Sequence, residues 1–244
     1  MSLWGYNNSL KCDILLLIML ESYIFILIYL AKNKIAKRIK AEKRVGPHNI
    51  DILSIFYGSL LGDSHAELRE KGKGTRLSFS QESHNEEYLL WLFNLISKLG
   101  YCNPNIPKIQ TRLGVNGKIR HIIRFHTYTY HNLNLLHEAW YTNNIKHVPI
   151  NINNYFYPIT LAIWIMDDGT RVGKGLKLST NSFTYADCIR LTNLLYDFYN
   201  IKATVQTAGL SNQYHIYIWA ESMKILRLLV QPFMVSSMLY KLGE

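Results

Sequence analysis

The stretch Phe56-Tyr57-Gly58-Ser59-Leu60-Leu61-Gly62-Asp63-Ser64 decides how the chain is read, because an apolar run containing small residues ends abruptly in a carboxylate. Leu161-Ala162-Ile163-Trp164-Ile165-Met166-Asp167-Asp168-Gly169 has the same form, its last acid standing 105 residues after Asp63. That interval is about the length of one small domain, so the two runs predict a duplicated unit, each copy presenting one carboxylate. An Asp at a helix C-terminus opposes the macrodipole by some tenths of a kcal/mol, so the placement calls for a function. If the two helices pack side by side, Asp63 and Asp168 end close together, and Gly58, Ser59 and Gly62 allow that close approach. Two carboxylates forced together are costly unless a cation or a proton lies between them. Hard oxygen donors in such short supply suit Mg²⁺, or Mn²⁺, which keeps water and takes its remaining ligands from phosphate.

Outward from these runs, Ile52, Ile55, Phe56, Ser59, Leu60 and Asp63 recur at helical spacing and predict a helix over 51–63. The alternation in Arg76-Leu77-Ser78-Phe79-Ser80-Gln81 predicts a half-buried strand. A helix over 86–99 follows, then strands over 108–113 and 118–127 and a short helix over 132–141. The second half repeats the order with helix 158–168, strand 176–181, helix 184–199, strands 203–207 and 214–219, and helix 221–230. Gly46-Pro47 marks the start of the folded part. The organisation expected is an extension over 1–45, a first unit over 46–150 and a second over 151–244.

The 244 residues carry a formal charge of +10, and 48% are hydrophobic, which excludes a disordered chain and suits a polyanionic partner. Seven of the basic residues fall between positions 32 and 44 against Glu42 alone. Ahead of them, residues 14–30 are almost wholly apolar, in the order of a membrane segment with a positive flank. The run is short of the roughly 20 residues needed to span, and Glu21 near its centre costs a few kcal/mol. Two readings stay open: a membrane-associating or leader segment, or an extension that contributes nothing to the fold. Cys12, Cys102 and Cys188 are isolated, and the nine His residues form no metal signature. Enrichment in Ile, Asn, Tyr, Lys and Leu matches A/T-rich codons, as in an organellar gene.

The two runs, together with Leu178-Ser179-Thr180-Asn181-Ser182-Phe183-Thr184, resemble the LAGLIDADG homing endonucleases in their single-chain, two-repeat, organellar intron-encoded form. The resemblance covers residues 50–242. It implies an α+β fold of two pseudo-symmetric αββαββ units, with the motif helices at their interface and antiparallel sheets forming a saddle for double-stranded DNA. It further implies that Asp63 and Asp168 bind divalent metal, assisted by the backbone carbonyls of Gly62 and Asp167, and that phosphodiester hydrolysis leaves short 3′ overhangs. Of the two supporting basic residues expected near the scissile phosphates, Lys146 matches the first. Gln213 stands at the matching place in the second half, which predicts unequal cutting of the strands. Ile163 stands where the first motif has Gly58, so the helix interface is expected to be asymmetric. A monomer and a mitochondrial location follow from the same resemblance.

For a groove-facing sheet, alternation groups Arg76, Ser78 and Ser80; Gln110 and Arg112; and Lys118, Arg120, Arg124 and His126. In the second half it groups Lys177 and Ser179, then Gln206, then His215 and Tyr217. Arg can read guanine edges and Gln adenine, and the same set can hold phosphates. Besides the endonuclease, two readings compete: a maturase that binds its own intron RNA and assists splicing, and a DNA-binding protein without activity.

Overall fold

A computed structural model describes residues 39–46, 48–69, 73–114 and 117–243. Residues 14–30 and the larger part of the basic run lie outside the described residues. No helix among those described is long and apolar enough to cross a membrane. Lys40–Glu244 forms one compact unit. Arg44 donates to the Thr129 carbonyl at 2.7 Å and lies over the rings of Tyr128 and Tyr130, so packing begins ahead of Gly46.

The first half runs α1 (Ile50–Leu61), β1 (His65–Arg69), β2 (Gly74–Glu82), α2 (Glu86–Lys98), β3 (Gln110–Leu113), β4 (Ile119–His126) and α3 (Asn134–Trp140). A two-stranded ribbon, β5 (Tyr141–Thr142) and β6 (Ile145–Lys146), closes it. The second half runs α4 (Pro158–Asp168), β7 (Gly169–Val172), β8 (Gly175–Ser179), α5 (Tyr185–Tyr199), β9 (Ala203–Thr207), β10 (Tyr214–Ile218) and α6 (Met223–Val230), followed by a 3₁₀ stretch over Ser236–Leu242. The sheets repeat one another, in the orders β1-β2-β4-β3 and β7-β8-β10-β9, antiparallel throughout. This is the α+β plan of two αββαββ units that the family resemblance implies.

Two short strands correct the element order read from periodicity. β1 and β7 follow closely on the motif acids, where the pattern had assigned no element. His65-Ala66-Glu67-Leu68-Arg69 does alternate, but Gly169-Thr170-Arg171-Val172 exposes three consecutive residues and is a strand only through its pairing with β8.

α1 and α4 are apolar on every side, which only a helix enclosed by protein can afford. From Ser54 to Leu61 every residue of α1 is buried, and from Thr160 to Met166 every residue of α4. The Asn49 side chain caps α1 by accepting from the Ile52 amide, and Pro158 opens α4 at a position with no amide to lose. The helices cross in contact: a Cβ placed on Gly58 would lie 2.7 Å from the Thr160 carbonyl oxygen and 3.1 Å from the Ile163 Cβ. Gly58 and Ile163, equivalent positions of the two motifs, thus meet across the interface, the empty one accommodating the full one.

Each sheet covers its half of this core. Leu77 and Phe79 on β2 and Ile123 and Phe125 on β4 face inward, with the rings of Phe79 and Phe125 stacked at 4.6 Å. In the second half Leu176, Leu178, Ile216 and Ile218 do the same. Strand alternation then fixes the other face of each sheet as the one turned away from the core.

Candidate active site

The site forms where the two motif helices end. α1 stops at Leu61, two residues sooner than the periodicity predicts, and Asp63 lies beyond it in the turn leading into β1. α4 continues through Asp168. Gly62 is the pivot: a Cβ there would fall 2.3 Å from Asp167 Oδ2. The missing side chain lets the Asp167 carboxylate reach across the interface, where it accepts from the Asp63 amide at 3.3 Å. Gln81, on the inner face of β2, donates to Asp63 Oδ2 at 2.9 Å and Asp167 Oδ1 at 3.1 Å, and its own carbonyl accepts from Asn85.

Two lysines hold the helix ends. Lys146 donates to the Gly62 and Ser64 carbonyls, each at 3.0 Å. Lys241 donates to the carbonyls of Ile165, Met166 and Asp167 in the last turn of α4. Helix C-termini expose unpaired carbonyls at the negative end of the dipole, so a cation at each is favourable. The symmetric arrangement corrects the assignment of Gln213. That residue lies in the β9–β10 connection, where its side-chain oxygen accepts from Asn181 at 2.9 Å, and Lys241 is the counterpart of Lys146. Spacing hid Lys241, because its approach depends on the 3₁₀ stretch at the chain's end folding back under α4.

The electrostatics are those of crowded acids. Burial, then the charge of Asp63, raises the Asp168 carboxyl to about 7 against the pull of Lys146 and Lys241. Burial and then the charges of Asp63 and Asp168 hold Asp167 well above the carboxylate range. Burial lowers the Lys146 ammonium to about 8, opposed by the three aspartates; burial also shifts Lys241 downward, against the same three charges. The Tyr88 hydroxyl, fully buried in α2 beside Asp167, is kept neutral first by burial and then by that charge.

Asp63 and Asp168 are therefore brought together as the sequence predicts, and the Gly62 and Asp167 carbonyls stand beside them, each engaged by a lysine. Among the described residues no three His, Cys, Asp or Glu side chains form a closed metal cage. An open pair of carboxylates set together at the helix ends does fit a hard divalent cation that completes its shell from water and phosphate. The periodicity reading missed Gln81, Lys241, Tyr88 and the Asp167 side chain. Gln81 carried a signal, since a buried amide in place of an apolar residue on the core face of β2 needs a polar partner.

The groove-facing candidates lie as alternation places them. Ser78 pairs with His126 and Ser80 with Arg124 across β2–β4, Gln110 with Ile122 and Arg112 with Arg120 across β3–β4. Lys118 precedes β4 in phase with Arg120. In the second half His215 stands between Ser179 and Gln206, and Tyr217 opposite Lys177. Several are already engaged: Arg76 with Glu67 at 2.7 Å, Arg120 with Glu82, His215 with Gln206 at 3.0 Å, and the Tyr217 hydroxyl with the Val172 carbonyl. Arg124 Nε and His126 Nδ1 are buried without a hydrogen-bond partner. Ser80, Arg112, Arg120 and Ile122 line a hollow of about 580 Å³ on this face.

Two pseudo-symmetric halves with acid-tipped helices at their joint define the class, and the LAGLIDADG DNA endonuclease family matches residues 53–226, so the chain belongs to that family. Among curated relatives, the cytochrome b mRNA maturase bI2 of Saccharomyces cerevisiae is 48% identical over 88% of this chain and 54% of that protein. The chain thus spans about half the length of that relative. The intron-encoded endonuclease ai4 of Dictyostelium discoideum is 35% identical over 62% of this chain and 98% of that protein. Among solved structures, the homing endonuclease I-WcaI bound to its DNA recognition sequence matches with a TM-score of 0.75 at 22% identity, over 87% of this chain and 96% of that one. That likeness speaks to the fold.

Proposed function

We propose that the chain is a site-specific, divalent-metal-dependent DNA endonuclease that cuts both strands of an extended asymmetric site, leaving short 3′ overhangs, and acts as a monomer in the mitochondrion. One observation carries the reading: Asp63 and Asp168 converge at the motif-helix ends, flanked by Lys146 and Lys241. An inactive DNA-binding descendant would have no reason to keep that costly set. Asp63 and Asp168 would hold Mg²⁺ or Mn²⁺, which supplies Lewis acidity at the phosphate. Lys146 and Lys241 fix the helix ends and place positive charge beside the position of the scissile phosphates. Gln81 orients Asp63. The outward faces of the two sheets, with Arg112, Lys118, Arg124 and Lys177, hold the duplex.

The test is a plasmid carrying the junction that the host intron interrupts. Purified protein should linearise it with Mg²⁺, and Asp63→Asn or Asp168→Asn should abolish cutting while leaving binding to the same DNA. Undiminished cleavage by both variants would refute the assignment.

A second reading, an intron RNA maturase with or without DNA cleavage, is favoured by the name of the 48% identical yeast relative. Splicing of the precursor RNA with and without the protein distinguishes it.

A further inference from the structure

The two carboxylates at the helix ends are not held alike. Asp168 is the last residue of α4, so its backbone is fixed by the helix. Asp63 lies two residues past the end of α1, outside the helical hydrogen-bond ladder. Its amide is satisfied instead by Asp167 Oδ2 from the other half, and its carboxylate by Gln81, which also ties to Asp167 and is itself held by Asn85. Gly62 leaves the space that Asp167 fills.

Among the described residues nothing equivalent serves Asp168. The residue in register with Gln81 in the second sheet is Thr180, whose hydroxyl donates to the Tyr214 carbonyl within its own half. Gly62, the counterpart of Asp167, has no side chain to offer. The brace is therefore one-sided, and it crosses the joint between the halves.

We infer that the Asp167 side chain is a positioning residue for Asp63, so that the ion-binding geometry of the first-half acid depends on a residue of the second half while Asp168 stands without such help. The inference rests on the endonuclease reading for its consequence in cleavage, but not for its consequence in ion binding. A carboxylate that orients a metal ligand through hydrogen bonds ordinarily changes affinity by about 10- to 100-fold when it is removed.

The experiment is a double-mutant cycle on the full chain, with Mn²⁺ binding followed by the electron paramagnetic resonance of the free ion, without DNA. Asp167→Ala should weaken Mn²⁺ binding about tenfold in the Asp168→Asn background, where Asp63 alone remains, and by less than about twofold in the Asp63→Asn background. Equal weakening in both backgrounds would show that Asp167 acts as a general negative charge or as a ligand itself, and would overturn the inference. Failure of the parent chain to bind Mn²⁺ would overturn it too. With junction DNA, Asp167→Ala should slow one strand's nick about tenfold, on the strand that Asp63→Glu also slows most, with the other strand within about twofold. Slowing of both strands alike would count against it. If the parent cuts no DNA while the Mn²⁺ cycle behaves as expected, the endonuclease reading falls and the brace stands.

Discussion

Replacement of Gly58 by Ala tests the helix interface by the sign of its effect. In an ordinary helix interior Ala is about 1 kcal/mol more favourable than Gly. At Gly58 the added Cβ would sit 2.7 Å from the Thr160 carbonyl oxygen, 3.0 Å from the Thr160 Cα and 3.1 Å from the Ile163 Cβ, all on α4. Two of the three are backbone atoms that cannot rotate away, so the helices must separate. Overpacking of this kind costs about 1–3 kcal/mol, and rigid backbone neighbours place this site at the upper end. The net is a loss of about 2 kcal/mol, or roughly 4–8 °C in Tm for a protein of this size. Thermal unfolding by circular dichroism in chelator measures it. Separation should also pull Asp63 away from Asp167, so cleavage should fall with DNA binding kept. A Tm equal to the parent's, or raised as helix propensity alone would raise it, would refute the close-approach argument.

The remaining expectations concern charge. Because the unfolded chain ionises Asp168 near its ordinary value of 3.8 while the folded one resists up to about 7, the metal-free protein loses stability as pH rises from about 4 to about 7. Asp168→Asn escapes this, so its advantage over the parent in chelator should grow across that window, with a ceiling of about 4 kcal/mol, and a flat difference would contradict the burial argument. Lys241→Met should reduce cutting at least about tenfold and lower Tm, since a buried cation holding three carbonyls is removed, while Gln213→Ala should leave cutting within about twofold; the reverse ranking would restore the sequence-based assignment. Arg112→Ala should weaken DNA binding and, if it holds a phosphate, lessen the salt dependence of log K by about one, read from binding titrations at several salt concentrations. A chain lacking residues 1–38 should still cut junction DNA in solution, because Arg44 and everything that packs behind it is retained; loss of cutting with normal folding would give the N-terminal segment a part in the reaction.

Duplication, the acid-tipped apolar helices and the alternating strands follow from the sequence because each depends on local periodicity: 3.6 residues for a buried helix, two for a strand with one face on the core. Asp63 and Asp168 could be singled out in that way, and so could the order of groove-facing side chains, whereas Lys146 was marked only by the family resemblance. The asymmetry between Gly58 and Ile163 was also visible, though not its meaning, that the two residues fill one space together. Only the tertiary structure decided that Asp63 falls outside its helix, that Asp167 crosses into the gap left by Gly62, and that Lys241 rather than Gln213 answers Lys146. Those contacts join residues 74 to 104 positions apart, and no local period encodes a meeting that depends on how two finished halves are set against each other.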